Sequence, residues 1–197
     1  MTRCSTFAFA LLLALGALAS VQSSPTLAAT PAARTPSPSE ALDELFARLA
    51  ASRDSDESAG LVAAIDRLNL RSGSDTADLL MARAAMTMES GDYPVSLALL
   101  DKIVALQPQW AEGWSRRAAA RYLSGDAEGA MADIAETLHR DPRHLGALAE
   151  MGMILEESGR QDDALRAYQR ALSIAPQWRP IADAAARVRA ALAGQAL

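Results

Sequence analysis

The residues best equipped for chemistry lie together in His139-Arg140-Asp141-Pro142-Arg143-His144. Two imidazoles and a carboxylate are donor types that hold a transition metal. Pro142 divides them, so they straddle a turn instead of sharing one helix face, and no metal site is expected. The rest of the inventory is thin. Cys4 is the single cysteine, and these two histidines are the only ones in the chain. No Gly-x-Ser-x-Gly elbow, phosphate-cradling glycine loop or His-Glu-x-x-His occurs. The acids are scattered along the chain, not paired for proton transfer, so no catalytic residue and no cofactor is expected. Lys and Arg number 19 against 24 Asp and Glu, a net charge of −5, leaving no basic surplus to neutralise phosphates. Nucleic acid is therefore a poor partner.

What remains is a question of scaffolding. Of 197 residues, 44 are alanine and only 5% are aromatic. Alanine is the strongest helix former and loses almost no side-chain entropy, so the chain reads as all-α with closely spaced helices. Pro108, Pro142 and Pro176 recur at one constant interval, which Gly91, Gly125 and Gly159 share. That interval, about 34 residues, is long enough for a pair of helices and their turns. Apolar or small columns share the period: Leu80, Trp114, Leu148; Ala84, Ala118, Gly152; Ser96, Ala130, Ala164; Leu100, Ile134, Tyr168; and Ile103, Thr137, Ala171. Each glycine can end a helix in the left-handed conformation, and Asp92 and Asp126 stand where a second helix needs its N-cap. The second helix stops before its proline. The small columns let the two helices approach, and neither can bury its apolar stripe without stacking on a neighbour.

This pattern resembles the tetratricopeptide repeat (TPR), with Trp114 in the aromatic slot, Gly152 in the small slot, Ala130 and Ala164 at the alanine, Tyr168 after it and the three prolines closing each unit. The resemblance implies a right-handed α-solenoid with repeats at 77–110, 111–144 and 145–178. A worn hairpin at 39–76, with helices over 39–52 and 55–71 and Ser39 as N-cap, should cap the amino end. A helix within 179–197 should cap the other end, with Ile181, Ala185, Val188 and Leu192 inward and Asp183, Arg187 and Gln195 off that stripe. Arg83 and Arg117 replace a leucine usual in the family, so each must snorkel or find a partner. Asp133 is the candidate partner for Arg117, and a solvated arginine at the hairpin edge is the alternative. Trp110 and Trp178 each follow a closing proline, with His144 in the same slot between them. They read either as exposed anchors or, preferably, as wedges between hairpins.

In this family the first helices line a concave face that receives a peptide or helix. The resemblance places Met81, Ala85, Met88 and Glu89 there from the first repeat, Arg116, Ala119 and Tyr122 from the second, and Glu150, Met153, Glu156 and Glu157 from the third. Arg116 with the three glutamates would orient the guest. Ordinary packing of methionine and alanine is the competing reading of the same columns. The lysine, arginine and asparagine of the carboxylate-clamping members are replaced here by Met81, Ala85 and Glu150, so that sub-function is not expected.

At the amino end, Arg3 precedes a 13-residue apolar run, Phe7 to Ala19, too short to span a bilayer. Small residues follow at cleavable positions. Residues 1–29 read as a signal peptide cut between Ser23 and Ala29, an uncleaved anchor being the alternative. Cys4 would leave with the leader. Residues 30–38, with three prolines, read as a tether. The expected protein is thus a periplasmic, monomeric or weakly associating adaptor, without a membrane span in its mature form. It would bind a polypeptide partner and scaffold an envelope or secretion assembly. The alternative is an array that self-associates and has no separate client.

Overall fold

The computed structural model describes residues 37–195, so the leader expected at 1–29 and most of the tether lie outside the described residues. Nine helices follow one another among the described residues: α1 (Pro38–Ala51), α2 (Ser55–Asn69), α3 (Asp75–Glu89), α4 (Tyr93–Leu106), α5 (Ala111–Leu123), α6 (Ala127–Arg140), α7 (Leu145–Glu157), α8 (Gln161–Ile174) and α9 (Arg179–Gln195). They form sequential antiparallel pairs, α3 on α4, α5 on α6 and α7 on α8, and each second helix packs on the next first helix.

The glycine punctuation works as the spacing requires. Gly91, Gly125 and Gly159 adopt φ of +78°, +92° and +75°. At each, the glycine N–H and the next N–H reach back into the last helical turn, as in Gly125 N to Tyr122 O (2.9 Å) and Asp126 N to Arg121 O (2.8 Å). This pair of bonds satisfies carbonyls that the helix end would orphan. Asp92 and Asp126 then accept from Val95 N (3.3 Å) and Gly129 N (2.8 Å), capping α4 and α6. At α1 the cap is Ser37, not Ser39. Its hydroxyl accepts from Glu40 N while Glu40 accepts from Ser37 N, and Pro38 suits the first helical position, where no N–H is needed.

The small columns set the hairpin spacing. Ala84, Ala118, Ser96, Ala130 and Ala164 are all essentially inaccessible, and the Ser96 hydroxyl donates across its hairpin to Ala84 O (3.1 Å). At Gly152 the clearance is tighter still, since a Cβ there would fall 2.5 Å from Tyr168 Cδ1. Leu148, Tyr168, Ala185 and Val188 build the largest core cluster beneath α9, which covers the last repeat as expected. A fully buried leucine or valine contributes roughly 1.5–3 kcal/mol, so α9 is held chiefly by Ile181 and Val188.

The first hairpin departs from expectation. It does not stack on α3: α2 and α3 lack the extensive contact that every later neighbouring pair makes. Instead Phe46, Leu49, Leu61, Val62 and Ile65 pack against Leu145, Ala175, Ile174 and Trp178, at the turns that follow α6 and α8. Trp110 Nε1 donates to Asn69 O (2.8 Å), and Arg143 pairs with Asp43 (2.9 Å) while covering the Phe46 ring. The hairpin therefore runs along one edge of the array, across all three proline turns. The tryptophans and His144 serve as its seat, which favours the wedge reading over exposed anchors. One period before Asp101, which reaches across from α4 to Arg117 of α5, stands Arg67, so α2 has no acid to offer Arg83 as Asp101 offers Arg117.

Candidate functional site: a divided groove on the first helices

Arg117 shows how the second repeat is anchored. Its guanidinium takes both oxygens of Asp133, Nε to Oδ2 at 2.8 Å and Nη2 to Oδ1 at 2.7 Å, and also reaches Asp101 on α4 (2.9 Å). Asp133 is 2% exposed and additionally pairs with Arg121 (3.0 Å). The pairing expected of Arg117 and Asp133 is present. Trp114 lies between the Arg117 and Arg140 guanidiniums, 4.7 and 4.4 Å from its ring centre.

The eleven expected groove residues all line recesses on one side of this frame, but not one hollow. Met81, Ala85, Met88, Glu89 and Arg116 surround a recess of about 240 Å³, which Leu70, just after α2, also lines. Met81 is buried and belongs to the hairpin core, so it forms the floor of that recess and is not a free contact. Ala119, Tyr122, Glu150, Met153, Glu156 and Glu157 line a larger cavity of about 780 Å³. Between the two, Asp66 of α2 faces Glu112, Arg116, Ala119, His144 and Glu150 around a polar recess of about 230 Å³. The edge hairpin thus divides the expected continuous groove.

Arg116 has a structural partner beside its place in the groove. Its Nε donates to Glu112 Oε1 at 2.5 Å, and Glu112 is 4% exposed. His144 Nε2 donates to the other oxygen of Glu112 (2.9 Å), while Nδ1 accepts from Ala147 N (3.1 Å) and caps α7. With Nδ1 accepting, Nε2 carries the proton. Burial pushes Glu112 up, but His144 and Arg116 outweigh it and hold its carboxyl below the usual range. Arg116 therefore spends its Nε on a buried acid, while its side chain stays 41% exposed. His144 spends both nitrogens on structure and His139 is exposed. Among the described residues no cluster of His, Cys, Asp or Glu could hold a metal ion.

Glu150 lies on the boundary of the polar recess and the large cavity. Burial pushes its carboxyl up to about 7, with Asp133 adding and Arg116 and His144 opposing. Burial and the charge of Glu112 likewise raise Asp66. Glu156 sits on the far wall, accepting from Tyr168 OH (2.9 Å) and from Arg187 Nε (2.8 Å) and Nη2 (3.0 Å). Glu157 accepts from Tyr122 OH. The floor is Ala119, Ala149, Met153, Ile181 and Ala184. Sequence reasoning left Arg187, Ile181 and Ala184 out of the site. Their signal is the same repeat period, which puts Ile181 and Ala184 one unit after Ala147 and Glu150. Asp66 and Glu112 carried no comparable signal, because their meeting depends on where the edge hairpin docks.

The geometry defines an array of paired helices with a peptide-sized apolar cavity on one flank. A tetratricopeptide repeat model matches residues 146–178. A TPR repeat-containing protein of Rhizobium etli is 39% identical over 140 residues, covering 71% of this chain and 69% of that protein. Human tetratricopeptide repeat protein 36 is 30% identical over 96 residues, covering 47% of this chain and 51% of that protein. Among solved structures, the first TPR of Spaghetti (RPAP3) bound to an HSP90 peptide superposes with a TM-score of 0.58 at 18% identity, covering 61% of this chain and 95% of that one. MamA superposes at 0.54 and 16% identity, covering 77% and 80%. The chain belongs to the tetratricopeptide repeat proteins, which are generally non-catalytic adaptors whose repeat domains typically bind peptides.

Proposed function

We propose that this protein is a non-catalytic adaptor that holds a polypeptide segment in the cavity between α5, α7 and α9. The observation that carries the reading is the composition of that cavity. Its floor is alanine, methionine and isoleucine, and its walls carry Glu150, Glu156 and Glu157 against a single cation, Arg187. Methionine adapts to incoming apolar side chains and alanine lets backbone come close. Two of the three carboxylates, Glu150 and Glu157, lack a cationic partner within ion-pair distance among the described residues. The guest that fits is therefore an apolar side chain with a lysine or arginine beside it. The RPAP3 domain has an HSP90 peptide ending in Glu-Glu-Val-Asp, and an acidic guest of that kind would meet repulsion here.

A displayed random-peptide library panned on the chain tests this. Enrichment of Leu, Met or Phe flanked by Lys or Arg, lost with Met153→Glu, is the expected result. Enrichment of acidic carboxyl-terminal peptides, or enrichment indifferent to Met153→Glu, would overturn it.

The charge and apolar pattern of residues 1–29 support placing this adaptor outside the cytoplasm, in the periplasm, as a scaffold of an envelope or secretion assembly. No helix among the described residues is long and apolar enough to cross a membrane. Fractionation of cells expressing the chain, with the amino-terminal sequence of the recovered protein, decides it. Recovery in the cytoplasm with the leader intact would exclude that placement.

A further inference from the structure

The repeat itself reveals a second surface. Leu79, Gly113, Ala147 and Ile181 occupy one column of the first helices, and Met86, Ala120, Ile154 and Val188 another, each at the repeat interval. In α5, α7 and α9 both columns are buried: Ala147 is 0% exposed, Ile181 8%, Ala120 0%, Ile154 3% and Val188 0%. They face the second helix of the preceding hairpin. A Cβ on Gly113 would stand 3.0 Å from Ile103 Cγ2 and 3.7 Å from Val104 Cγ1 of α4. In α3 the same positions are open, with Leu79 64% and Met86 68% exposed. They are open because the hairpin that would cover them lies along the edge.

Charge identifies what would fit. In the second repeat Arg117 reaches back across the stacking interface to Asp101. Its counterpart in α3 is Arg83, and the slot that Asp133 fills for Arg117 holds Leu99 here. Arg83 is exposed and its side chain makes no ion pair or hydrogen bond among the described residues. The face is therefore two apolar residues with an unpaired cation between them along one helix.

From this we infer that the leading face of α3 is a docking site for an amphipathic helix of another protein, one with an acid two and three residues before an apolar pair, as in Asp101-Lys102-Ile103-Val104. Other occupants match less well. Residues 1–36 contain two arginines and no acid. In a second copy the faces of α4, α6 and α8 with this geometry are already covered by α5, α7 and α9, and α2 offers Arg67 where the acid is needed.

The probe is a fluorescein-labelled, hydrocarbon-stapled peptide of residues 93–107 carrying Leu100→Gln, its helicity checked by circular dichroism. It is titrated into the full chain and read by anisotropy. Saturable binding is expected. Leu79→Glu or Met86→Glu, both at exposed positions, should weaken it about tenfold by placing a charge in an apolar contact. Met153→Glu, in the groove, should leave it unchanged, which separates this site from the proposed peptide cavity. Asp101→Arg in the peptide should weaken binding about three- to fivefold, and Arg83→Asp in the protein should restore it. Absence of saturable binding by a helical probe, or indifference to Leu79→Glu and Met86→Glu, would overturn the inference. A concentration-dependent dimer in sedimentation, abolished by Leu79→Glu, would also overturn it, because the face would then belong to a second copy.

Discussion

Glu150→Gln is the most informative single change. Glutamine copies the shape of the protonated acid and cannot ionise. The carboxyl of Glu150 is pushed from 4.5 to about 7, first by burial and then by Asp133, against the attraction of Arg116 and His144. Because the folded-state value lies above the unfolded one, the folded chain holds this proton more tightly. Its unfavourable effect on folding is absent below pH 4.5, grows as pH rises and is complete above about 7. At about 1.4 kcal/mol per pH unit the ceiling is about 3 kcal/mol, and the partly exposed position reduces this to about 1–2 kcal/mol. Thermal unfolding followed by circular dichroism should show only about a quarter of the full gain for Glu150→Gln near pH 5, and a rise in Tm of roughly 2–8 °C at about pH 8. Glu112, held low, loses its stabilising effect only as pH falls below the ordinary carboxylate range, so it leaves this window undisturbed. An equal gain at both pH values, or none at either, would show that Glu150 ionises in the groove without penalty, and the reasoning about the cavity's charge would fail with it.

Other substitutions probe the frame. Gly152→Ala puts a methyl into the Tyr168 ring and should lower the denaturant midpoint by an amount equivalent to about 1–3 kcal/mol. Asp133→Ala strands Arg117, 12% exposed, without its bidentate partner and should cost about 3 kcal/mol. Arg117→Met with Asp133→Leu should recover most of that in the same denaturation experiment. Arg116→Glu sets a second negative charge against Glu112, so Tm should fall by several degrees before any partner is added. An unchanged Tm would leave Arg116 as a guest contact only.

The elements that could be read from sequence are those in which cause and effect lie within one repeat. Gly125 in the left-handed region, Asp126 capping the helix that follows it and Arg117 meeting Asp133 on that same helix are all set inside a single unit. The columns recur, so each was seen several times over. Asp66 meets Glu112 and His144 through an event outside the period, the docking of α1 and α2 across the proline turns. His144 was legible as a member of the tryptophan column, but its acid partner was not, since Glu112 aligns with Asp78 and Gly146 in the neighbouring units. The pairing of Arg116 with Glu112 is local, one turn apart on α5, and its i,i+4 spacing is legible in the sequence.

The divided groove and the open face of α3 have one origin. Were α2 stacked on α3 with an acid in place of Arg67, Leu79 and Met86 would be buried and Arg83 paired, as α4 and Asp101 do for α5. The middle of the groove would then be free of Asp66, and Glu112 and Glu150 would face water instead of a third carboxyl. The edge position removes α2 from the stack and turns Asp66 toward the first helices, so the displacement that leaves one apolar surface open also brings a third carboxyl to Glu112 and Glu150. The array consequently offers two unlike faces. One flank favours a cation beside an apolar side chain, and the leading end favours an acid beside one, so a single segment is poorly suited to both.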